Sequence, residues 1–532
     1  MRDGKNNPLN FKFPQFTADN LIFSNINKIN IYISLILVKM NTNSYKDLSP
    51  YQGYIARIVD VFESALMGET EVLLFFGILA FSWTMFAWDS YLNFRQRKVL
   101  TKAKQPPFEI LSTFNTENYG KARLYSLDNN LFNMYNSWYA MLEIMIILIG
   151  DGLSWLWSFS VSCTRQLRRE NSVLSMGEDI LEEHEFAAST MFLILLVTII
   201  FLNGLPWKIY HTFILEKRHE LLNISWDLFF LDQIKSYIGT LIIILPITFC
   251  LLNVIKLGGK YFYLYAWGFS FIMMTTLRIL YPEFIAPKFK TQLALNDDSL
   301  KRSIENLADR VNFPLSEVFV TKGTKQFNHT NIYLFGCFTD KRIAIVDDLL
   351  RNRPTSKIGN KLDSQVTGDQ TTKLDPTFSN EEIIALLSRE FGHWAYNHFT
   401  QSIVVGQINL FVMFYALGCL FNYGVLFEIF GFTEVGTPNL IKLIIIFQFL
   451  FSPYNALLEF IMALISRRNE FQADEFAVKL GKGKFLINAL AKLQNDSLTF
   501  PLSDKWYSVF NNSHPTILER IKAIKIFTNK TS

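Results

Sequence analysis

Seven stretches of this chain, at about residues 72–90, 138–161, 188–207, 236–256, 261–281, 402–424 and 439–465, are long and apolar enough to cross a lipid bilayer. A spanning helix needs roughly 20 mostly apolar residues, because hydrocarbon offers the backbone no alternative hydrogen-bonding partner. So many such stretches argue against a water-soluble fold and predict a mainly α-helical integral membrane protein. Composition agrees, since 50% of the 532 residues are apolar and phenylalanine alone contributes 50 of them.

Seven spans place the two termini on opposite sides of the membrane. The loops after the first, third and fifth spans then share a side with the C-terminal tail. Arg95, Arg97, Lys98, Lys102, Lys104, Lys208, Lys217, Arg218, Lys288, Lys290, Arg467 and Arg468 all lie on that side near span ends, whereas the loop between spans six and seven has no Lys or Arg. Basic residues are retained in the cytosol, so the C-terminal side is expected to be cytosolic. The N-terminus resembles no cleavable signal, because Asn25, Asn27, Lys28 and Asn30 interrupt its apolar patches.

The formal charge is only +4, and the basic residues form no long tract with interleaved aromatics, so no nucleic-acid partner is expected. Cys163, Cys250, Cys337 and Cys419 have no ligand spacing and read as packing residues.

The chain divides into an N-terminal extension (1–70), a block holding helices one to five (71–281), a hydrophilic block (282–401), helices six and seven (402–465) and a C-terminal block (466–532). In the first hydrophilic block, Ser316 to Val320 and Ile343 to Val346 are β-prone, with a candidate strand at Asn331 to Phe335 between them. Residues 352–378 are rich in Ser, Thr, Lys, Gly and Pro and lack periodicity, which suggests a flexible insertion.

Chemistry concentrates in these two blocks. Glu381 to His398 reads EEIIALLSREFGHWAYNH, with Ile384, Leu387 and Phe391 at helical spacing, and is expected to form a helix leading into span six. Positions 389 and 393 share a helical face with Glu390 beside the first. H-E-x-x-H uses this geometry to bind zinc through two imidazoles and to poise a carboxylate over metal-bound water. Here the run is R-E-F-G-H. After span seven, RRNEFQADEFAVKLG puts Glu470 and Asp474 on one helical face, where a Glu ligand would complete a His2Glu site. Alone, the two carboxylates read more simply as solvated partners of Arg467 and Arg468.

Many further segments in order narrow that reading. KARLYSLD (121–128), GLPWKIYHTF (204–213), YLYAWGFSF (263–271), YPEFIAPKF (281–289), HTNIYLFG (329–336), DKRIAIVDDLL (340–350), IIIFQFLFSPYN (444–455) and SHPTILERI (513–521) join the two helices above. Together they resemble the type I CAAX prenyl protease family, from about residue 70 to the end.

The resemblance implies seven transmembrane helices around an intramembrane chamber, with a gluzincin-like cytosolic metalloprotease domain that contains a small β-element. It implies a membrane-lipid environment and prenylated CAAX proteins or peptides as substrates. The expected location is the endoplasmic reticulum or inner nuclear membrane, with the site facing cytosol or nucleoplasm. Residues 1–39 match nothing in the family, and Met40 directly after them offers an alternative start.

Carried over position by position, family chemistry makes His393 and Glu470 ligands of one zinc ion and Glu390 the base that activates its water. Asp474 would steady a ligand imidazole through its far ring nitrogen. His514 and Arg520 are candidates to stabilise the oxyanion, or else serve as a cap and a salt bridge. Asn331, Ile332, Tyr333, Leu334 and Phe335 resemble the edge strand that pairs with an extended substrate. His329 reads as a loop residue. His398, about 140° around a continuous helix from His393, is poorly placed as a ligand.

Arg389 disturbs this set, because a guanidinium stays protonated and offers no lone pair to zinc. Two protein ligands would remain in place of three. Zinc affinity and peptidase rate are expected to fall by orders of magnitude, with the arginine pairing instead with Glu390, Glu470 or Asp474. The chain is then either an impaired zinc endopeptidase or a non-cleaving relative that binds prenylated or membrane-stalled chains. A transporter is disfavoured, since the carboxylates cluster in the hydrophilic blocks instead of at midplane.

Overall fold

A computed structural model describes residues 70–107, 116–170, 181–221, 224–280, 292–295, 297–321, 332–336, 341–350, 378–432, 437–497 and 499–531. The expected N-terminal extension and the insertion at 352–378, each except for its last residue, and His329 and Asn331 lie outside them.

The membrane part is built from α1 (Thr70–Lys102), α2 (Thr116–Ile149), α3 (Gly152–Glu170), α4 (Leu181–Tyr210), α5 (Trp226–Gly258) and α6 (Phe262–Leu280). It continues in α9 (His398–Leu420), α10 (Val425–Glu428), α11 (Asn439–Ile444) and α12 (Ser452–Lys479). Between α6 and α9 come β1 (Gln292–Ala294), α7 (Asp298–Arg310), β2 (Leu315–Thr321), β3 (Ile332–Phe335), β4 (Lys341–Val346) and α8 (Asn380–Ala395). The chain ends in α13 (Gly483–Ser497), α14 (Lys505–Asn511) and α15 (Ile517–Thr531).

Among the described residues, four helical stretches are long and apolar enough to cross a membrane: Leu73–Lys102, Glu185–Glu216, Trp226–Thr276 and His398–Leu420. Two bent pairs, α2 with α3 at 69° and the Asn439–Leu450 stretch with α12 at 58°, raise the total to six. The expected spans at 236–256 and 261–281 both fall in the Trp226–Thr276 stretch of 51 residues. That stretch exceeds the length of one crossing, and it breaks at Gly259 (φ 51°, ψ −132°), after which α6 packs on α5.

Asp151 was expected inside the second span, but it sits at the corner between α2 and α3 with φ 50°. An added Cβ on Gly431 would lie 3.3 Å from its carboxyl carbon, so the 431 turn lies tight against this corner. Phe192, Phe262, Ala266, Phe414, Leu417, Ile441 and Ile446 form the centre of the apolar packing here.

The hydrophilic blocks fold together. Their sheet has the order β1-β2-β4-β3, with β2 and β4 parallel and both outer strands antiparallel to their neighbours. The β-prone runs at 316–320 and 343–346 lie within β2 and β4, and β3 occupies Ile332–Phe335 at the sheet edge. Buried Ile343 and Ile345 meet Leu300 and Ile304 of α7 and Ile383, Leu387 and Phe391 of α8, and Leu486 and Leu490 extend the same core. Each such side chain contributes about 1.5–3 kcal/mol of burial, enough to fix the roll of α8. A reciprocal capping box starts α8: Ser379 accepts from the Glu382 N–H, and Glu382 accepts from the Ser379 N–H.

Contrary to expectation, α8 does not run on into span six. It ends at Ala395, Asn397 adopts a left-handed conformation (φ 53°, ψ 33°), and α9 starts afresh at His398. Asn tolerates this region better than other non-glycine residues.

Candidate functional site

The site lies where α8 crosses α12. Gly392 sits at the crossing, where an added Cβ would lie 3.0 Å from Ala473 Cα and 3.0 Å from Phe476 Cβ. A hydrogen in place of a side chain lets the two backbones approach, which brings Arg389, Glu390 and His393 opposite Glu470 and Asp474.

Arg389 is the centre of the cluster. One terminal nitrogen donates to Glu390 and the other to Glu470, while Nε lies 3.8 Å from Asp474 Oδ1 without a hydrogen-bond partner. Its side chain is 17% exposed and that of Glu470 is 5% exposed, so these pairs sit largely out of water. Burial alone would lower the arginine pKa, but Glu390, Glu470 and Asp474 more than reverse it and hold the group above its ordinary value. The guanidinium is a fixed cation.

Arg520 of α15 forms a bidentate pair with Asp474, at 2.8 Å from Nε to Oδ2 and 2.6 Å from Nη2 to Oδ1, and its Nη1 lies 3.8 Å from Glu470. Asp474 is thus engaged by Arg520, and with arginine at 389 no imidazole stands there for it to steady. Two guanidiniums face three carboxylates. Burial pushes the Glu390 carboxyl above the usual range, and Arg389 offsets only part of that shift.

The two expected ligands do meet: His393 Nε2 lies 3.6 Å from Glu470 Oε1. Burial first, and the Arg389 charge second, push the His393 pKa down to about 3, so the ring is neutral at physiological pH. His514 Nδ1 donates to Glu470 Oε1 at 3.1 Å, and its side chain is 66% exposed. His514 therefore borders the site from the solvent side, whereas Arg520 is buried in its ion pair.

These residues do not fit a zinc ion. Tetrahedral zinc takes three protein lone-pair donors in a catalytic site. Here the third corner carries a cation whose nitrogens already satisfy Glu390 and Glu470, and Glu390 is tied down where a free base is required. Among the described residues no group of three or more His, Cys, Asp or Glu side chains is arranged to hold a metal.

Two participants escaped sequence reasoning. His398, 4% exposed, places Nδ1 3.0 Å from His393 Nδ1, and its Nε2 lies 3.1 Å from Gln472 Oε1. The 140° separation assumed an unbroken helix, which the turn at Asn397 removes. Gln472 carried no signal except its place between Glu470 and Asp474. Beside this cluster, β3 packs against α8 and pairs on one side with β4, so Ile332, Tyr333, Leu334 and Phe335 form a sheet edge near the site.

Comparison with known proteins places the chain in a family. Residues 96–291 match the family described as CAAX prenyl protease N-terminal, five membrane helices, and residues 294–527 match peptidase family M48. CAAX prenyl protease 1 homologues of Mus musculus and Homo sapiens are each 37% identical, over 467 and 470 residues, covering 86% of this chain and 96% of the relative. CAAX prenyl protease 1 of Saccharomyces cerevisiae is 30% identical over 466 residues, covering 85% of this chain and 95% of the relative. The crystal structure of S. mikatae Ste24p superposes with a TM-score of 0.70 at 29% identity, covering 84% of this chain and 98% of the other. With two consecutive family matches and relatives spanned almost end to end, the chain belongs to the CAAX prenyl protease 1 family of M48 peptidases.

Proposed function

We propose that this chain is a CAAX prenyl protease family member whose zinc-dependent cleavage is lost or strongly reduced through Arg389, and that it retains the binding of prenylated C-terminal segments. The observation that carries this reading is the arginine bridge from Glu390 to Glu470, which puts a permanent cation where a third zinc ligand belongs. A guanidinium satisfies paired carboxylates well through its planar fork, so the cluster holds together without a metal. It has no coordination position at which to bind and activate a water as a metal does.

The binding half of the proposal rests on other features. β3 is an edge strand, and an extended peptide adds to such an edge through main-chain hydrogen bonds. Exposed apolar side chains of the membrane helices supply surface for a prenyl chain, the kind of substrate that the name CAAX prenyl protease implies for the relatives. The proposed setting is the endoplasmic reticulum or inner nuclear membrane, with the site towards cytosol or nucleoplasm.

A second reading, surviving zinc-dependent cleavage, is favoured by one distance: His393 Nε2 and Glu470 Oε1 remain 3.6 Å apart, near the spacing of about 3.3 Å expected for neighbouring ligands on tetrahedral zinc. A farnesylated CAAX peptide tests both. Native protein in lipid should bind the peptide without releasing its last three residues, and Arg389→His should release them. Release by the native protein at a rate close to that of the variant would overturn the proposal, and failure of the native protein to bind would remove its second half.

A further inference from the structure

We infer that Gln472 and His398 are positioning residues for His393: together they hold its proton on Nδ1 and leave Nε2 bare. The chain of contacts runs from Gln472 Oε1 to His398 Nε2 at 3.1 Å, then from His398 Nδ1 to His393 Nδ1 at 3.0 Å. An amide oxygen only accepts, so His398 carries its proton on Nε2. A neutral ring with Nε2–H has an unprotonated Nδ1, which can only accept. His393 must therefore donate from its own Nδ1, and its Nε2 keeps a lone pair.

The reverse direction fails on geometry. If Gln472 presented its NH2 group, His398 would carry its proton on Nδ1 and donate to His393, whose proton would move to Nε2. That nitrogen is 3.6 Å from Glu470 Oε1, outside hydrogen-bond reach. A largely buried N–H beside a carboxylate would close that gap, because a charge-assisted bond is shorter than a neutral one.

The backbone makes the relay available. The left-handed turn at Asn397 stops α8 and swings His398 back beside His393, where Tyr396 stacks on its ring at 5.7 Å. The other end of the relay is anchored on α12, the helix that carries Glu470. The relay thus ties the imidazole of α8 to the helix bearing its carboxylate neighbour, and it does so without contact to Arg389. The inference is independent of whether the native chain binds zinc or cleaves.

Nitrogen-15 NMR of full-length, histidine-labelled protein in lipid nanodiscs reads the tautomer directly, with the His393 signals assigned by their loss in His393→Gln. The native protein should show Nδ1 protonated and Nε2 bare. Gln472→Met, which keeps the side-chain length but removes the acceptor, should give a mixture of tautomers, and Gln472→Glu, which keeps an acceptor oxygen, should restore the native pattern. Unchanged signals from His211 and His219 report that the fold is intact. A proton on Nε2 in the native protein, or native signals in Gln472→Met, would overturn the inference. Zinc measured on the same sample keeps the questions apart: a metal-loaded native chain contradicts the proposed loss of the metal, whereas a metal-free chain with its proton on Nε2 contradicts only the relay.

Discussion

Arg389 has two opposite effects on the same few side chains. It removes a lone pair from the place where the family's chemistry needs one, and it supplies the positive charge that Glu390 and Glu470 need in order to stay buried. Breaking a buried ion pair from one side costs more than the pair itself contributes, because the abandoned charge remains out of water. Arg389→Ala should therefore lower stability by about 3 kcal/mol, read as an earlier midpoint in thermal unfolding, and an unchanged midpoint would show that water replaces the guanidinium at no cost. Arg389→Lys should recover only part of the loss, since a single ammonium cannot reach both carboxylates with the geometry of a planar fork. Helical spacing showed which residues share a face, Arg389 with His393 on one helix and Glu470 with Asp474 on another, whereas the meeting of the two faces was implied only by the family resemblance. The pairing of Asp474 with Arg520 was not legible in the sequence, since it depends on how α15 packs against α12.

Single elements explain what else the sequence hid. Periodicity located α8 and the apolar residues that bury it, but it carried no sign that the helix stops at Ala395. One left-handed residue, Asn397, reversed the standing of His398 from a bystander to a neighbour of His393. Asn397→Val should therefore perturb the relay, because a β-branched residue strongly disfavours that backbone region, and the His393 tautomer should become mixed while α8 itself persists. The strand β1 was missed for a different reason: its three residues are too few to show alternation. At the crossing of α8 and α12, Gly392→Val would push against the Ala473 backbone at 3.0 Å. The expected cost is about 1–3 kcal/mol from overpacking, with loss of the Arg389 to Glu470 bridge as the helices part. An equally stable variant with an intact His393 to Glu470 contact would mean that the crossing relaxes without disturbing the site.

Across the whole molecule, the membrane character was the most legible property, because the bilayer imposes a length and a composition that few soluble helices meet. The number of crossings was less so. Bends at Asp151 and Phe451 and the break at Gly259 are local backbone events that a hydropathy window averages away. The charge distribution predicts that the C-terminal tail shares the cytosolic side with the loop after α1. An epitope at the C-terminus should be digested by protease added outside sealed microsomes, and its protection would invert the proposed orientation. The site is assembled from α8, which precedes the crossing stretch α9, from α12, which belongs to a bent crossing pair, and from α15. In the proposed reading the arginine occupies the place of the metal. Zinc per chain, determined on the purified native protein and on Arg389→His, tests it most directly: the native chain should contain little zinc and the variant close to one ion, whereas near-stoichiometric zinc in the native chain would contradict it.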